Sequence, residues 1–207
     1  MSLEIWISFV VASGVLLAIP GPTLMIVISY ALSGGRRTAL ATMPGVALGD
    51  FTAMTISLLG AGAVLAASAT LFTLLKIAGA LYLIWLGFRL WRADGRVEDI
   101  AARASGSPFA MFRSAYIVTA LNPKSIVFFV AFVPQFVNVN DPVLVQFAIL
   151  EATFVTLAAV NVLIWAFLAG TVKQRFASSG AVRLMNRAGA CFLIGAGLLT
   201  ALVRRTA

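Results

Sequence analysis

Val15-Leu16-Leu17-Ala18-Ile19-Pro20-Gly21-Pro22-Thr23-Leu24-Met25-Ile26-Val27 places two prolines around a glycine inside an otherwise unbroken apolar stretch. The stretch runs from about residue 4 to residue 32. It is too long for a cleaved signal h-region, and no basic n-region precedes it at Met1-Ser2-Leu3-Glu4. It reads as a retained membrane span. Each proline lacks an amide hydrogen and blocks the carbonyl bond one turn earlier, and the glycine adds backbone freedom. A single transmembrane proline commonly gives only a kink that shapes packing. The triplet is expected to open the helix. The half-helix that restarts near Thr23 then presents free amide donors and a positive dipole end, which suit a carboxylate.

The rest of the chain extends this pattern. Of 207 residues, 61% are hydrophobic and 11% charged, about half the charged share of a soluble domain. Six spans can be drawn, at 4–32, 38–66, 70–91, 108–136, 143–170 and 183–203. Each has close to the roughly 20 apolar residues a bilayer requires, or more. Segments one and four approach 30 residues, or roughly 43 Å as helix against a core of ~30 Å. Both carry proline near the middle, so both are expected to break. The expectation is an all-α integral membrane protein with one transmembrane domain over 1–207.

The net charge of +8 belongs to loops and sets topology, so it does not point to nucleic acid. Arg36, Arg37, Arg89, Arg92, Arg96, Arg103, Arg113, Lys173, Arg175 and Arg183 fall on one side of the six-span drawing. Glu4, the turn near Ala66–Ala69, Asn140-Asp141-Pro142 and the Arg204-Arg205 tail fall on the other. The positive-inside rule puts both termini outside. The segment 92–107 is a cytoplasmic linker, with a short surface helix over Arg96–Ala104 as a variant reading. There are no histidines, and the one cysteine, Cys191, lies in an apolar run. No metal site, cofactor or disulfide framework is expected from such a composition.

Ala78-Gly79-Ala80-Leu81-Tyr82-Leu83-Ile84 with Gly87 matches Ala188-Gly189-Ala190-Cys191-Phe192-Leu193-Ile194 with Gly197. Nearly the same offset pairs Pro20 with Pro123, Phe9 with Phe112, Ala12 with Ala115, Val15 with Val118, and Gly49-Asp50 with Leu150-Glu151. Residues 4–91 and 108–203 thus read as two three-span repeats, inverted because three spans reverse the chain. Broken helices of inverted repeats meeting at the midplane are a recurrent transporter plan.

Four features carry the chemistry. Pro20, Gly21, Pro22 and Thr23 form the first break. Asn122-Pro123-Lys124 forms the second, with Asn as N-cap and Pro as first helical residue. Lys124 lies eleven residues past Arg113, roughly 16 Å deep, where a lysine costs about 3 kcal/mol on insertion scales. It should bind a substrate carboxylate or pair with Asp50 or Glu151. Those two carboxylates, about 14 residues past Arg36-Arg37 and ten past Asp141, are the only ones in the middle of a span. Either can bind an ammonium group or carry a coupling proton, or form a structural ion pair with Lys124 or Lys76. Gly49, Lys76 and Asn161 are secondary candidates, Lys76 as a gate or a snorkelling residue near the outer end. Gly45-x-x-x-Gly49, Gly60, Gly62, Gly79, Gly87, Gly195 and Gly197 are expected to permit close helix contacts. Trp6, Trp85, Phe109, Phe136 and Trp165 read as interfacial anchors or lipid-facing packing. Charge of both signs at mid-membrane fits a small polar or zwitterionic solute.

Pro20-Gly21-Pro22, Gly45-x-x-x-Gly49-Asp50, Lys76-x-x-Gly79-Ala80-x-Tyr82-Leu83, Asn122-Pro123-Lys124 and Pro134-Gln135-Phe136 together resemble the lysine/homoserine exporter family (LysE/RhtB type) over essentially the whole chain. The likeness is closer to the RhtB branch. It implies a bacterial inner-membrane exporter of homoserine, threonine or other neutral amino acids, exchanging protons. Export direction rests on the resemblance alone, and homo-oligomer assembly is left open. Phe112-Arg113-Ser114-Ala115 departs from the family's small-residue pattern, which bears on local helix contacts. Two other readings remain. One is export of an inorganic cation on Asp50, Glu151 and Asn161. The other is an intramembrane enzyme, disfavoured because no second mid-span aspartate accompanies Asp50 and no histidine could serve a Ser/His dyad.

Overall fold

The computed structural model describes residues 1–92, 106–138, 140–175 and 179–202, and these form helices joined by short turns. In chain order they are α1 (Leu3–Ala18), α2 (Pro22–Gly34), a 3-10 turn (Arg36–Thr38), α3 (Ala39–Ala67) and α4 (Ala69–Trp91). Then follow α5 (Pro108–Ala120), α6 (Pro123–Val127), a π-wound turn (Phe128–Phe132), a 3-10 turn (Val133–Phe136), α7 (Val143–Arg175) and α8 (Ser179–Leu202). The suggested surface helix over Arg96–Ala104 lies outside the described residues.

The chain is an integral membrane protein, and its surface is inverted relative to a soluble fold. Leu40, Ile56, Leu81, Trp85 and Phe109 are exposed, while Asp50, Thr119, Asn122, Ser125 and Thr200 are buried. Helices apolar all round need a lipid or protein environment on every face. Arg36–Val64, Ala69–Trp91 and Val143–Leu168 are each long and apolar enough to cross a membrane. α1 with α2, and α5 with the stretch Pro123–Phe136, are pairs bent by 57° and 40°, as the prolines require. The apolar run described in α8, Asn186–Leu202, reaches only about 25 Å at 1.5 Å per residue. Six full spans are therefore more than the described residues show.

The second break is followed by a feature that the prolines at 20 and 123 do not foreshadow. After one turn of α6, the backbone widens into the π-wound turn and then tightens over Val133–Phe136. Pro134 has no amide to donate into the preceding turn, which favours such irregular winding. Phe136 packs against other rings of the interior. Its ring meets Phe9 at 5.4 Å and Phe132 at 5.3 Å, and the cluster continues through Phe128, Phe154 and Phe129. Trp6 likewise turns inward, its indole N–H donating to Thr153 on α7 at 3.1 Å.

Glycines set the helix seams. A Cβ on Gly45 would lie 2.5 Å from the Phe112 carbonyl, and one on Gly49 would lie 2.9 Å from that of Tyr116. α3 and α5 thus run parallel with their backbones nearly touching, and the Phe112–Ala115 stretch serves this contact. Along the α4–α8 seam, Gly87 meets Ala190 and Ile194, while Gly197 meets Ala80 and Ile84. These are matching positions of the two motif copies, so the contacts exchange partner for partner, with the helices antiparallel. Gly60, Gly62 and Gly195 have nothing within 4 Å and do not serve close packing here. Overpacking a seam costs about 1–3 kcal/mol. Gly45→Val should lower the melting temperature in detergent, whereas Gly60→Ala should leave it almost unchanged; equal melting of the two variants would contradict the seam.

Candidate functional site

The first break begins with a shortage of donors. In a continuous helix, residue 20 would donate to the Leu16 carbonyl, 21 to Leu17 and 22 to Ala18. Prolines at 20 and 22 remove two of these donors. α1 stops at Ala18, with Ile19 extended (φ −67°, ψ 123°). Carbonyls left so deep must be satisfied by protein. The Lys124 ammonium donates to Leu16 O and to Ile19 O, both at 3.0 Å. The Asn161 amide donates to Leu17 O at 3.3 Å. The lysine expected to seek a carboxylate thus sits on the negative end of a broken helix, a recognised location for a cation.

On the other side of the break, Gly21 is the N-cap of α2 and supplies no side-chain cap. The first-turn amides of Thr23 and Leu24 are left without intrahelical acceptors. Lys124 Nζ lies 3.3 Å from where a Gly21 Cβ would be, so the ammonium stands against this helix start. In the register that pairs Pro20 with Pro123, Lys124 is the counterpart of Gly21. The large side chain of one break occupies the space that the other leaves open.

The second break is capped more conventionally. The Asn122 side chain accepts from the Lys124 amide at 3.1 Å and begins α6. Its amide group donates to the Thr23 hydroxyl at 3.2 Å, and the Thr119 hydroxyl reaches the same oxygen at 3.2 Å. Thr23 therefore ties the two breaks together. Thr119, fully buried, and Ser125 were not picked out from the sequence. A hydroxyl residue in an apolar helix is common, and only the fold shows that these face the breaks.

The breaks enclose a small cavity of ≈ 30 Å³, lined by Gly21, Thr23, Asp50, Asn122, Lys124 and Asn161 among apolar neighbours including Leu24 and Val162. This is room for about two waters. Asp50 is 2% exposed and makes no hydrogen bond or ion pair with any described residue. Its charge and that of Lys124 attract each other, yet the ammonium is engaged elsewhere. The expected ion pair between them is not formed.

The remaining candidates lie apart. Glu151 does not line this cavity; it accepts a hydrogen bond from the Thr55 hydroxyl, joining α3 to α7. The cation set of Asp50, Glu151 and Asn161 is therefore not brought together. Gly49, next to Asp50 in sequence, serves the α3–α5 seam. Lys76, half-buried on α4, is not part of the lining.

A family model described as LysE type translocator matches residues 14–203. An uncharacterized membrane protein of Vibrio cholerae serotype O1 is 32% identical over 97% of this chain and 98% of its own. A homoserine/homoserine lactone efflux protein of Salmonella typhimurium is 32% identical over 96% and 97%. A leucine efflux protein of an Enterobacter species is 29% identical over 67% and 65%. No solved structure matches.

The cap at the second break invites a direct test. Loss of an N-cap typically costs about 1 kcal/mol, and Asn122→Ala also removes the bond to Thr23. The variant should melt lower than wild type in detergent, by more than Thr156→Ala, whose hydroxyl bonds only within its own helix. A melting temperature equal to wild type would show that the cap does not hold this break.

Proposed function

The chain belongs to the LysE type translocator family, and from that membership we propose that it exports small neutral amino acids by exchange with protons. The observation that carries this reading is the pair of unlike charges facing one cavity: Asp50, with no hydrogen bond or ion pair among the described residues, and Lys124 beside the uncapped start of α2. A zwitterion presents an ammonium to the first and a carboxylate to the second. Each pole of the cargo meets its opposite there, and a buried charge is far less costly compensated than unpaired.

Substrate and proton compete for one carboxylate. A protonated Asp50 has no charge for an ammonium group, and an Asp50 bound to ammonium has none for a proton. Such mutual exclusion is sufficient for exchange across two alternately open states. The names of the homoserine and leucine efflux relatives agree with a small neutral cargo, and the apolar wall of Leu24, Val27 and Val162 suits its side chain. The cavity as it stands is smaller than any amino acid, so entry must part the surrounding helices.

The orientation follows the charges. Met1 ammonium lies 3.8 Å from Asp141, while Arg36 covers Phe167 and Arg187 covers Trp91 at the other ends of these helices. With the arginines inside, both termini lie outside and the aromatic cluster lies on the outer side of the cavity. The matched seam of α4 and α8 supports two inverted repeats, 4–91 and 108–203, joined through 92–107.

Everted membrane vesicles with an acid interior should take up labelled homoserine or leucine. Asp50→Asn should reduce that uptake at least tenfold with protein abundance unchanged. Uptake that continues after the proton gradient is collapsed with an ionophore would reject the coupling.

A further inference from the structure

We propose that Lys124 is a latch that reads the carboxylate of the cargo, so that the carboxylate is required for movement and dispensable for binding. The inference rests on the amino-acid export reading and assigns a role within that site.

Three observations lead to it. The Lys124 ammonium supplies the donor that Pro20 cannot give to Leu16 O, and it also holds Ile19 O. It therefore fastens the end of α1, at the first break, to α6. The same ammonium stands 3.3 Å from the Cβ position of Gly21, at the N-terminus of α2. A carboxylate docking on the free amides of Thr23 and Leu24 would lie within its reach. Asp50, by contrast, makes no hydrogen bond or ion pair with any described residue and can take an ammonium while Lys124 stays where it is.

The exchange of partners is favourable for the lysine and unfavourable for the break. A carboxylate carries a full charge, against roughly half a charge at a helix end, so it draws the ammonium more strongly than the carbonyls do. Once Lys124 turns to the carboxylate, Ile19 O loses its donor and Leu16 O keeps only the Ile19 amide at 3.3 Å. Buried carbonyls do not remain unpaired. The end of α1 must rewind or shift until they are satisfied, and that shift moves α1 relative to α2. Recognition of one end of the cargo thus becomes motion of the helix that encloses it.

An amine without the carboxylate should bind at Asp50 and leave the latch closed. The test uses wild-type protein in proteoliposomes preloaded with unlabelled homoserine, at equal pH on both sides and with protein-free liposomes as baseline. Labelled homoserine should exchange inward. Excess 3-aminopropan-1-ol, its decarboxylated analogue, should inhibit that exchange, while labelled 3-aminopropan-1-ol should enter at least tenfold more slowly than homoserine. In Lys124→Met, homoserine should behave as the amine does in wild type, bound by equilibrium dialysis but exchanged at least tenfold more slowly.

Transport of the amine at the rate of homoserine overturns the latch. So does an amine that fails to compete, or a Lys124→Met protein with wild-type exchange. The wild-type arm decides the matter even where Lys124→Met does not fold. If wild type moves none of the amino acids, the export reading itself fails and the latch fails with it.

Discussion

One ammonium group meeting two carbonyls, Lys124 on Leu16 and Ile19, is the contact on which the interior depends. The prolines at 20 and 22 make the helix impossible to continue, and the bilayer makes the resulting orphan carbonyls intolerable. Either constraint alone would be harmless, since soluble helices end at proline routinely and water satisfies what is left. Together they demand a donor delivered from another segment at the depth of the break. The lysine that meets this demand is itself costly at that depth, so each group relieves the other. The arrangement joins segments one and four through two charged hydrogen bonds, and it leaves Asp50 without a hydrogen bond or ion pair among the described residues.

Much of this was legible in the sequence because proline acts locally. Pro20, Pro22 and Pro123 end helices wherever they stand, so the breaks and the bent pairs follow without tertiary information. Depth was legible for the same reason: counting 1.5 Å per residue from Arg36-Arg37 and Arg113 puts Asp50 and Lys124 in the interior. Partner choice was not legible. Charge alone favours a lysine–aspartate pair, and only the geometry of the broken helix shows that two carbonyls hold the ammonium first. The partner of Glu151 was hidden in the same way. Glu151 shares the depth class of Asp50, but its neighbour is Thr55, a residue whose hydroxyl carries no signal in an apolar run.

The glycines divide in an instructive way. Gly45, Gly49, Gly87 and Gly197 lie where two backbones approach, whereas Gly60, Gly62 and Gly195 face nothing. Spacing separates Gly45 from Gly49 by one turn and marks that pair as a seam. The others look alike in sequence because the neighbour that makes a glycine necessary belongs to another segment. The widened turn at Phe128–Phe132 was hidden for a related reason: Pro134 signals irregularity, but whether the backbone tightens or expands depends on the rings of Phe9 and Phe154 packed against it.

The α4–α8 seam has a further meaning. Gly87 sits on Ala190 and Ile194 as Gly197 sits on Ala80 and Ile84, so one surface patch meets its own likeness across a local two-fold axis. That is the isologous contact by which identical subunits form dimers, achieved here within a single polypeptide. An isologous patch carries its own complement. Each copy of the motif therefore encodes both sides of the joint.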